Sequence, residues 1–320
     1  MRVLFAGTPG VALPTLQALM NDPDHEVVGV LTRADARKGR GRVLRPSPVA
    51  ALARAAGLDT RTPATLKDGD TRTWVRDLNA GVAVVVAYGR LVPPALLEAL
   101  GHGWLNLHFS LLPAWRGAAP VQHALIAGDT VTGACVFGLE EGLDTGPVYA
   151  RLTEAVRPTD TSGDLLERLA AAGAGLLLTT LGAVADGSVR PETQDDAAAT
   201  LAPLLTTADG LLRWQDPALA LERRVRGVTP SPGAHTTWRG VRLRLGPLAL
   251  VPEVTDLAPG ELRPSRHEVL VGTGSHALRL GQVAPAGRSW MAADAWARGA
   301  RPGPGERLGQ DDATTGEERS

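Results

Sequence analysis

The run Val82 to Ala87, six apolar residues of which four are valine, constrains the fold most. An uninterrupted apolar stretch of that length, rich in valine, suits a strand covered on both faces, which is the situation of a central strand in a parallel sheet. The N-terminus supplies compatible partners. Arg2 to Ala6 reads as a strand, Val11 to Met20 as a helix and Glu26 to Thr32 as a second strand, so the chain opens with a βαβ unit. Ser47-Pro48 offers an N-cap and a first-turn proline for a helix ending near Gly57. Trp104 to His108 and Gly133 to Leu139 read as further strands, Ala118 to Ala127 as a helix, and Val148 to Thr153 as a hairpin partner. The first half is thus an open α/β sheet.

Thr161-Ser162 can cap a long helix, Asp164 to Ala185. Its uncharged part, Leu169 to Ala185, is rich in Ala, Gly and Thr and falls short of the roughly 20 strongly apolar residues of a membrane span. A packed helix is expected, and no membrane partner. The polar segment that follows reads as a linker. Beyond it a helical run, Leu219 to Val225, precedes short β-like pieces at Val241 to Leu245, Glu268 to Val271 and Ala277 to Leu280. The expected division is a first domain over 1–187, a linker over 188–204, a β-rich domain over 205–309 and a disordered tail over 310–320.

Lys and Arg number 33 against 34 Asp and Glu, so whole-chain charge gives no support to a nucleic-acid partner and any such signal must be local. The local signal is the loop from Arg37 to Arg45, where Arg37, Lys38, Arg40, Arg42 and Arg45 are interleaved with glycine. Such a loop suits phosphate contacts, although most basic runs are solvated surface. Arg223-Arg224-Val225-Arg226 adds a second basic cluster. Cys135 is the single cysteine, which rules out an intramolecular disulfide or a cysteine-rich zinc site and fits a reducing cytoplasm.

Three places can carry chemistry. Gly7-Thr8-Pro9-Gly10 lies between strand and helix, where backbone N–H groups hold anions, but Pro9 and Ala12 break the dinucleotide fingerprint and a tight turn is an equal reading. This argues against a nicotinamide-dependent enzyme. Asn106 and His108, two apart in a strand, share one face at the ligand-binding end of the sheet. Together they can stabilise an oxyanion, or they can be a satisfied polar pair. Asp144, framed by glycines in Gly142-Leu143-Asp144-Thr145-Gly146, is a turn by itself; next to His108 its charge raises the imidazole pKa and keeps the imidazolium populated. The histidines show no metal-ligand spacing, and no metal is expected.

The order of these segments resembles methionyl-tRNA formyltransferase, a folate-dependent formyltransferase family, from Met1 to about Leu308. The most specific stretches are Ser110-Leu111-Leu112-Pro113, Trp115-Arg116-Gly117-Ala118-Ala119-Pro120 and the glycine-framed turn at Asp144. The resemblance implies a Rossmann-like, mostly parallel catalytic domain, a smaller C-terminal β-barrel of OB type that grips tRNA, and formyl transfer from 10-formyltetrahydrofolate to methionyl initiator tRNA. It assigns catalysis to Asn106, His108 and Asp144, folate binding to Ser110, Leu111, Leu112 and Pro113, and tRNA contact to Arg37, Lys38, Arg40 and Arg42. A monomeric, cytoplasmic enzyme is the expectation. The chain departs from the family pattern at Phe109, usually a small residue, and at Ser231, where an aromatic is common. The competing readings are a folate formyltransferase acting on an amino sugar nucleotide or a ribonucleotide amine, and a noncatalytic RNA-binding protein.

Overall fold

The computed structural model describes residues 1–38 and 43–310. Two compact units emerge from it. The first comprises Met1–Pro120, Thr130–Ala155 and Leu165–Pro203, and the second Val121–Asp129, Val156–Asp164 and everything from Leu204 onward.

In the first unit β1 (Arg2–Gly7), α1 (Leu13–Asn21) and β2 (Glu26–Leu31) form the expected βαβ opening. After the short hairpin β3 (Ala36–Lys38) and β4 (Val43–Arg45) comes α2 (Pro48–Ala55), whose N-terminus Ser47 caps by accepting from the Ala50 N–H at 3.0 Å. Then come β5 (Thr60–Arg61), α3 (Gly69–Asp77), β6 (Val82–Val86), α4 (Pro94–Leu97) and β7 (Trp104–His108). The composition-based reading missed α3. Its buried stripe is only Thr71, Trp74 and Val75, three residues in an otherwise charged segment, but Asp68 caps it by accepting from the Thr71 N–H at 2.7 Å.

The sheet order is β5-β2-β1-β6-β7, all parallel, continued by antiparallel β8 (Val131–Gly138) and β9 (Val148–Ala155). Chain order reverses between β1 and β6. Every residue of β6 is buried, as its apolar run requires. By register the loop that joins the two edge strands, β8 and β9, leaves beside the start of β7, where Gly138 stands opposite Leu105, and it folds over the sheet far enough for Asp144 to come within 3.7 Å of His108.

Helix α6 (Ser162–Ala185) starts at a capping box: Asp164 N–H donates to the Thr161 hydroxyl at 3.3 Å while the Asp164 carboxylate accepts from the Thr161 N–H at 2.9 Å. By length and composition α6 could cross a membrane. One stripe of it, Leu165, Leu169, Leu177 and Leu181, is fully buried in the protein, as a packed helix requires. Gly173 lets α6 approach β7 closely, since a Cβ there would lie 3.0 Å from the Leu107 side chain. Leu105 and Leu107 are buried in the core, and Asn106 and His108 alternate to the opposite face of the strand.

The second unit holds α5 (Pro120–Ala127), α7 (Ala218–Gly227), α8 (Ala293–Ala300) and two antiparallel four-stranded sheets. One has β10 (His235–Trp238), β11 (Val241–Leu245), β16 (Gln282–Pro285) and β17 (Met291–Ala292); the other has β12 (Leu248–Val251), β15 (Ala277–Leu280), β14 (Val269–Val271) and β13 (Leu262–Pro264). Trp214, Leu243, Val271, Leu278, Val283 and Trp296 share one core between both sheets and α8. A smaller β-rich C-terminal domain was expected, with a β-barrel of OB type implied; the structure has antiparallel strands here, arranged as two separate four-stranded sheets. Its basic cluster is largely spent on packing: Arg226 forms an ion pair with Glu222 at 2.5 Å with both side chains 12% exposed, Arg224 donates to the Asp209 carbonyl at 3.3 Å and Arg223 to the Ala127 carbonyl at 3.4 Å. All three arginines are partly exposed on α7.

Of the segment 188–204, expected as a linker, the residues up to Pro203 are built into the first unit. Glu192 exchanges backbone hydrogen bonds with Val148, both 2.8 Å, and Arg116 with Thr200 and Ala202, also 2.8 Å. The second unit's contiguous run begins at Leu204. Residues 311–320, most of the expected tail, lie outside the described residues.

Candidate active site

The C-terminal ends of β1, β6 and β7 lie side by side. Gly7 is there for close approach: a Cβ would meet the Phe5 ring at 2.8 Å and the Val86 carbonyl at 3.0 Å. Thr8 donates its hydroxyl to the Tyr88 carbonyl at 3.0 Å. Of the two readings of the Gly7 to Gly10 loop, these contacts favour the tight turn.

At the end of β7 the structure brings Asn106, His108 and Asp144 to one site. Asn106 stands opposite Phe137 in the β7–β8 register and His108 opposite Cys135. The His108 ring packs edge-on to Phe137, centroids 6.1 Å apart and planes at 86°. Its Nε2 lies 3.0 Å from the Trp115 carbonyl, an obligate acceptor, so Nε2 carries a proton. Its Nδ1 faces Asp144 Oδ2 at 3.7 Å. That Oδ2 accepts the Gly117 N–H at 2.7 Å, which aims the carboxylate at the ring. The amide oxygen of Asn106 is buried and accepts a hydrogen bond from no described residue. A buried unmet acceptor costs about 1–3 kcal/mol, and a substrate N–H or O–H can satisfy it.

The electrostatics correct one expectation. Burial pushes the His108 imidazole below its ordinary value of 6.5, outweighing the Asp144 charge and the Trp115 carbonyl, both of which act upward. Asp144 therefore does not keep an imidazolium populated at neutral pH. The sequence shows the charge but not the desolvation, and a ring only 6% exposed loses more from leaving water than a carboxylate 3.7 Å away returns. Cys135 is no rival nucleophile: burial raises its thiol to about 11.

This has a consequence for stability. A histidine depressed in the folded state binds its proton more readily when unfolded, so stability is complete above the unfolded value near 6.5 and falls as pH drops towards the folded value. His235, likewise lowered mainly by burial, adds to the same trend. The melting temperature is expected to fall between about pH 7.5 and about pH 5.5, and to fall less in His108→Gln. An equal fall in the two proteins would remove His108 as its source.

Of the residues expected to bind folate, Ser110 is buried with its hydroxyl donated to the Ala114 carbonyl at 2.6 Å, and Leu112 is in a small core with Cys135, Phe137 and Val148. Leu111 and Pro113 remain partly exposed. Phe109 is buried. In the basic loop Arg37 is exposed on the β3–β4 hairpin, where it pairs with Leu44, and Lys38 pairs with Val43. Arg40 and Arg42 lie outside the described residues.

Two residues that shape the site, Gln194 and Thr200, carried no sequence signal of their own. Trp115 and Asp144 adopt left-handed backbone, φ 62° and 52°, and Gly117 has φ 127°. Strain of this kind costs about 1–3 kcal/mol at a non-glycine residue and persists only where surroundings impose it. Here they are imposed by the segment read as a linker: Trp115 N–H donates to the Thr200 hydroxyl at 2.8 Å, and Gln194 bonds to the Asp144 turn.

Residues 1–181 match the model for the formyl transferase domain, and residues 204–301 the model for the formyl transferase C-terminal domain. The chain belongs to the formyl transferase family. Among curated proteins, a methionyl-tRNA formyltransferase from Paenarthrobacter aurescens is 58% identical over 93% of this chain and 97% of its own length. One from Streptomyces coelicolor is 54% identical over 97% of this chain and all of its own. Solved structures share the fold at far lower identity. An Aquifex aeolicus HypX in complex with tetrahydrofolic acid has a TM-score of 0.61 and 15% identity over 93% of this chain and 47% of its own. An N-formyltransferase from Helicobacter canadensis, in complex with folinic acid and dTDP-3-aminofucose, has a TM-score of 0.62 and 13% identity over 87% of this chain and 97% of its own.

Proposed function

We propose that Asn106, His108 and Asp144 carry out formyl transfer in this chain, from 10-formyltetrahydrofolate to the amino group of methionyl initiator tRNA. The overall reaction is that of the formyltransferases it matches over nearly their whole length. The bond from the formyl carbon to the folate nitrogen breaks, a bond to the methionine nitrogen forms, and a proton passes from that nitrogen to the folate. The observation that carries the assignment is the neutral imidazole of His108 beside a carboxylate, next to an amide with an unmet buried acceptor.

With Nε2–H held by the Trp115 carbonyl, the free lone pair of His108 is on Nδ1. It accepts the proton of the attacking amine and holds it between ring and Asp144, whose charge stabilises the imidazolium once formed. The Asn106 amide donates to the oxyanion of the tetrahedral intermediate. His108 then returns the proton to the departing nitrogen. Leu111 and Pro113, with the backbone of Ser110 and Leu112, form the wall against which the folate lies.

Arg37, Lys38, Arg40 and Arg42 contact the phosphates of the acceptor arm, supported by the exposure of Arg37 on its hairpin. The enzyme works as a monomer in the cytoplasm with no membrane partner. The test is transfer of labelled formyl to methionine-charged initiator tRNA, with uncharged tRNA, free methionine and an amino sugar nucleotide as alternatives. Labelling that requires the charged tRNA supports the reading. Labelling of the amino sugar in its place would move the enzyme to another acceptor, and no labelling at all would favour a binding protein.

A further inference from the structure

Gln194 lies in the segment that reads as a linker, 50 residues along the chain from Asp144, yet it is only 7% exposed and its amide is fully used. Its Nε2 donates to the Asp144 carbonyl at 2.8 Å and to the Gly146 carbonyl at 2.7 Å. Its Oε1 accepts from Arg116 Nε at 3.0 Å and Nη2 at 2.9 Å. Arg116 is itself buried, and its ion-pair partner among the described residues, Asp196 at 2.7 Å, has a side chain 81% exposed. The neutral amide is therefore the interior acceptor for a buried cation. It is also the clamp on a turn whose central residue, Asp144, is left-handed.

The neighbouring contacts leave this turn little freedom. Gly146 packs so tightly that a Cβ would lie 1.8 Å from the Gly138 carbonyl. On the far side of Arg116, Gly117 gives its N–H to the Asp144 carboxylate. Gln194 thus ties together the two loops that hold Asp144, one through Arg116 and one through the carbonyls of Asp144 and Gly146.

We infer that Gln194 is a positioning residue for formyl transfer, fixing the Asp144 carboxylate beside His108 by joining the Arg116 loop to the Asp144 turn. It touches neither His108 nor any reacting atom. The inference rests on the catalytic reading of His108 and Asp144. It belongs to the chain's own geometry, however, and can be read without turnover.

Two variants separate positioning from folding. Gln194→Glu keeps an acceptor for Arg116 but has no N–H for the two carbonyls, so the turn is released while the buried cation stays paired. It is expected to lower kcat about tenfold or more, because sub-ångström misplacement of a catalytic group is costly, with KM for the folate within about twofold. Gln194→Met removes all four hydrogen bonds without adding charge. In that variant the His108 ring, followed by NMR of histidine-labelled protein, should titrate lower than in the wild type and approach Asp144→Asn, and the double variant should match Asp144→Asn alone. A Gln194→Glu enzyme with kcat within about twofold of wild type would overturn the inference, as would an unmoved His108 titration in Gln194→Met, or shifts that simply add in the double variant. Full activity in Asp144→Asn would instead defeat the catalytic reading, and the titrations would still decide whether Gln194 holds Asp144 against His108.

Discussion

Alanine at Asn106 or His108 should lower kcat for formyl transfer by about a hundredfold to a thousandfold, with KM for the folate changed only severalfold. A preorganised oxyanion donor contributes about 10²–10³ in kcat, and a positioned general base about 10²–10⁴. Both act mainly in the transition state, so the loss falls on kcat rather than on ground-state binding. His108 also packs against Phe137, and alanine leaves a cavity there. His108→Gln, which retains most of the volume, controls for that and should be nearly as inactive. The assignment fails if single-turnover transfer in either alanine variant stays within about threefold of wild type, or if KM rises while kcat holds, since that would make the pair a binding feature.

The second large effect is expected at Gly117. A Cβ there would lie 2.6 Å from the Ala202 carbonyl oxygen, and φ of 127° is a backbone state that side-chain-bearing residues scarcely reach. Gly117→Ala must push back either its own loop or the strand-like segment at 200–202, and the Gly117 N–H leaves Asp144 in the process. Overpacking and strain together should cost about 1–3 kcal/mol, which lowers Tm by about 2–4 °C per kcal/mol in a unit of this size. Activity should fall with it, because the same displacement frees the carboxylate. Gly69→Ala serves as the comparison: it sits at the start of α3, a Cβ there meets nothing within 4 Å, and its stability and activity should be close to wild type. A Gly117→Ala protein that melts and turns over like Gly69→Ala would show that the loop absorbs the methyl group and that its tightness is incidental.

Much of the catalytic half was legible from residue order. The valines of β6 announce a strand covered on both faces, Ser47-Pro48 a capped helix start, and the two-residue spacing of Asn106 and His108 a shared face at a strand end. The second unit was harder to read because its strands run to only two to five residues, too short for alternation to register. Helix α3 was missed for the converse reason, a buried stripe of three residues carried by charged neighbours.

Residue order by itself determined the parallel core, the helix caps, the pairing of a polar amide with an imidazole on one strand, and the glycine-framed acidic turn, because each depends on neighbours within a few positions. Tertiary structure alone decided the protonation of His108, since desolvation depends on what packs around the ring and not on the charge that can be read nearby. It also decided that Arg226 would be spent on Glu222, and that Gln194, in a stretch whose polarity reads as linker, would reach back across 50 residues to Asp144 and 78 to Arg116. A hydrogen bond closed over such a distance leaves no period or local composition in the chain, because it exists only after the sheet has brought its partners together.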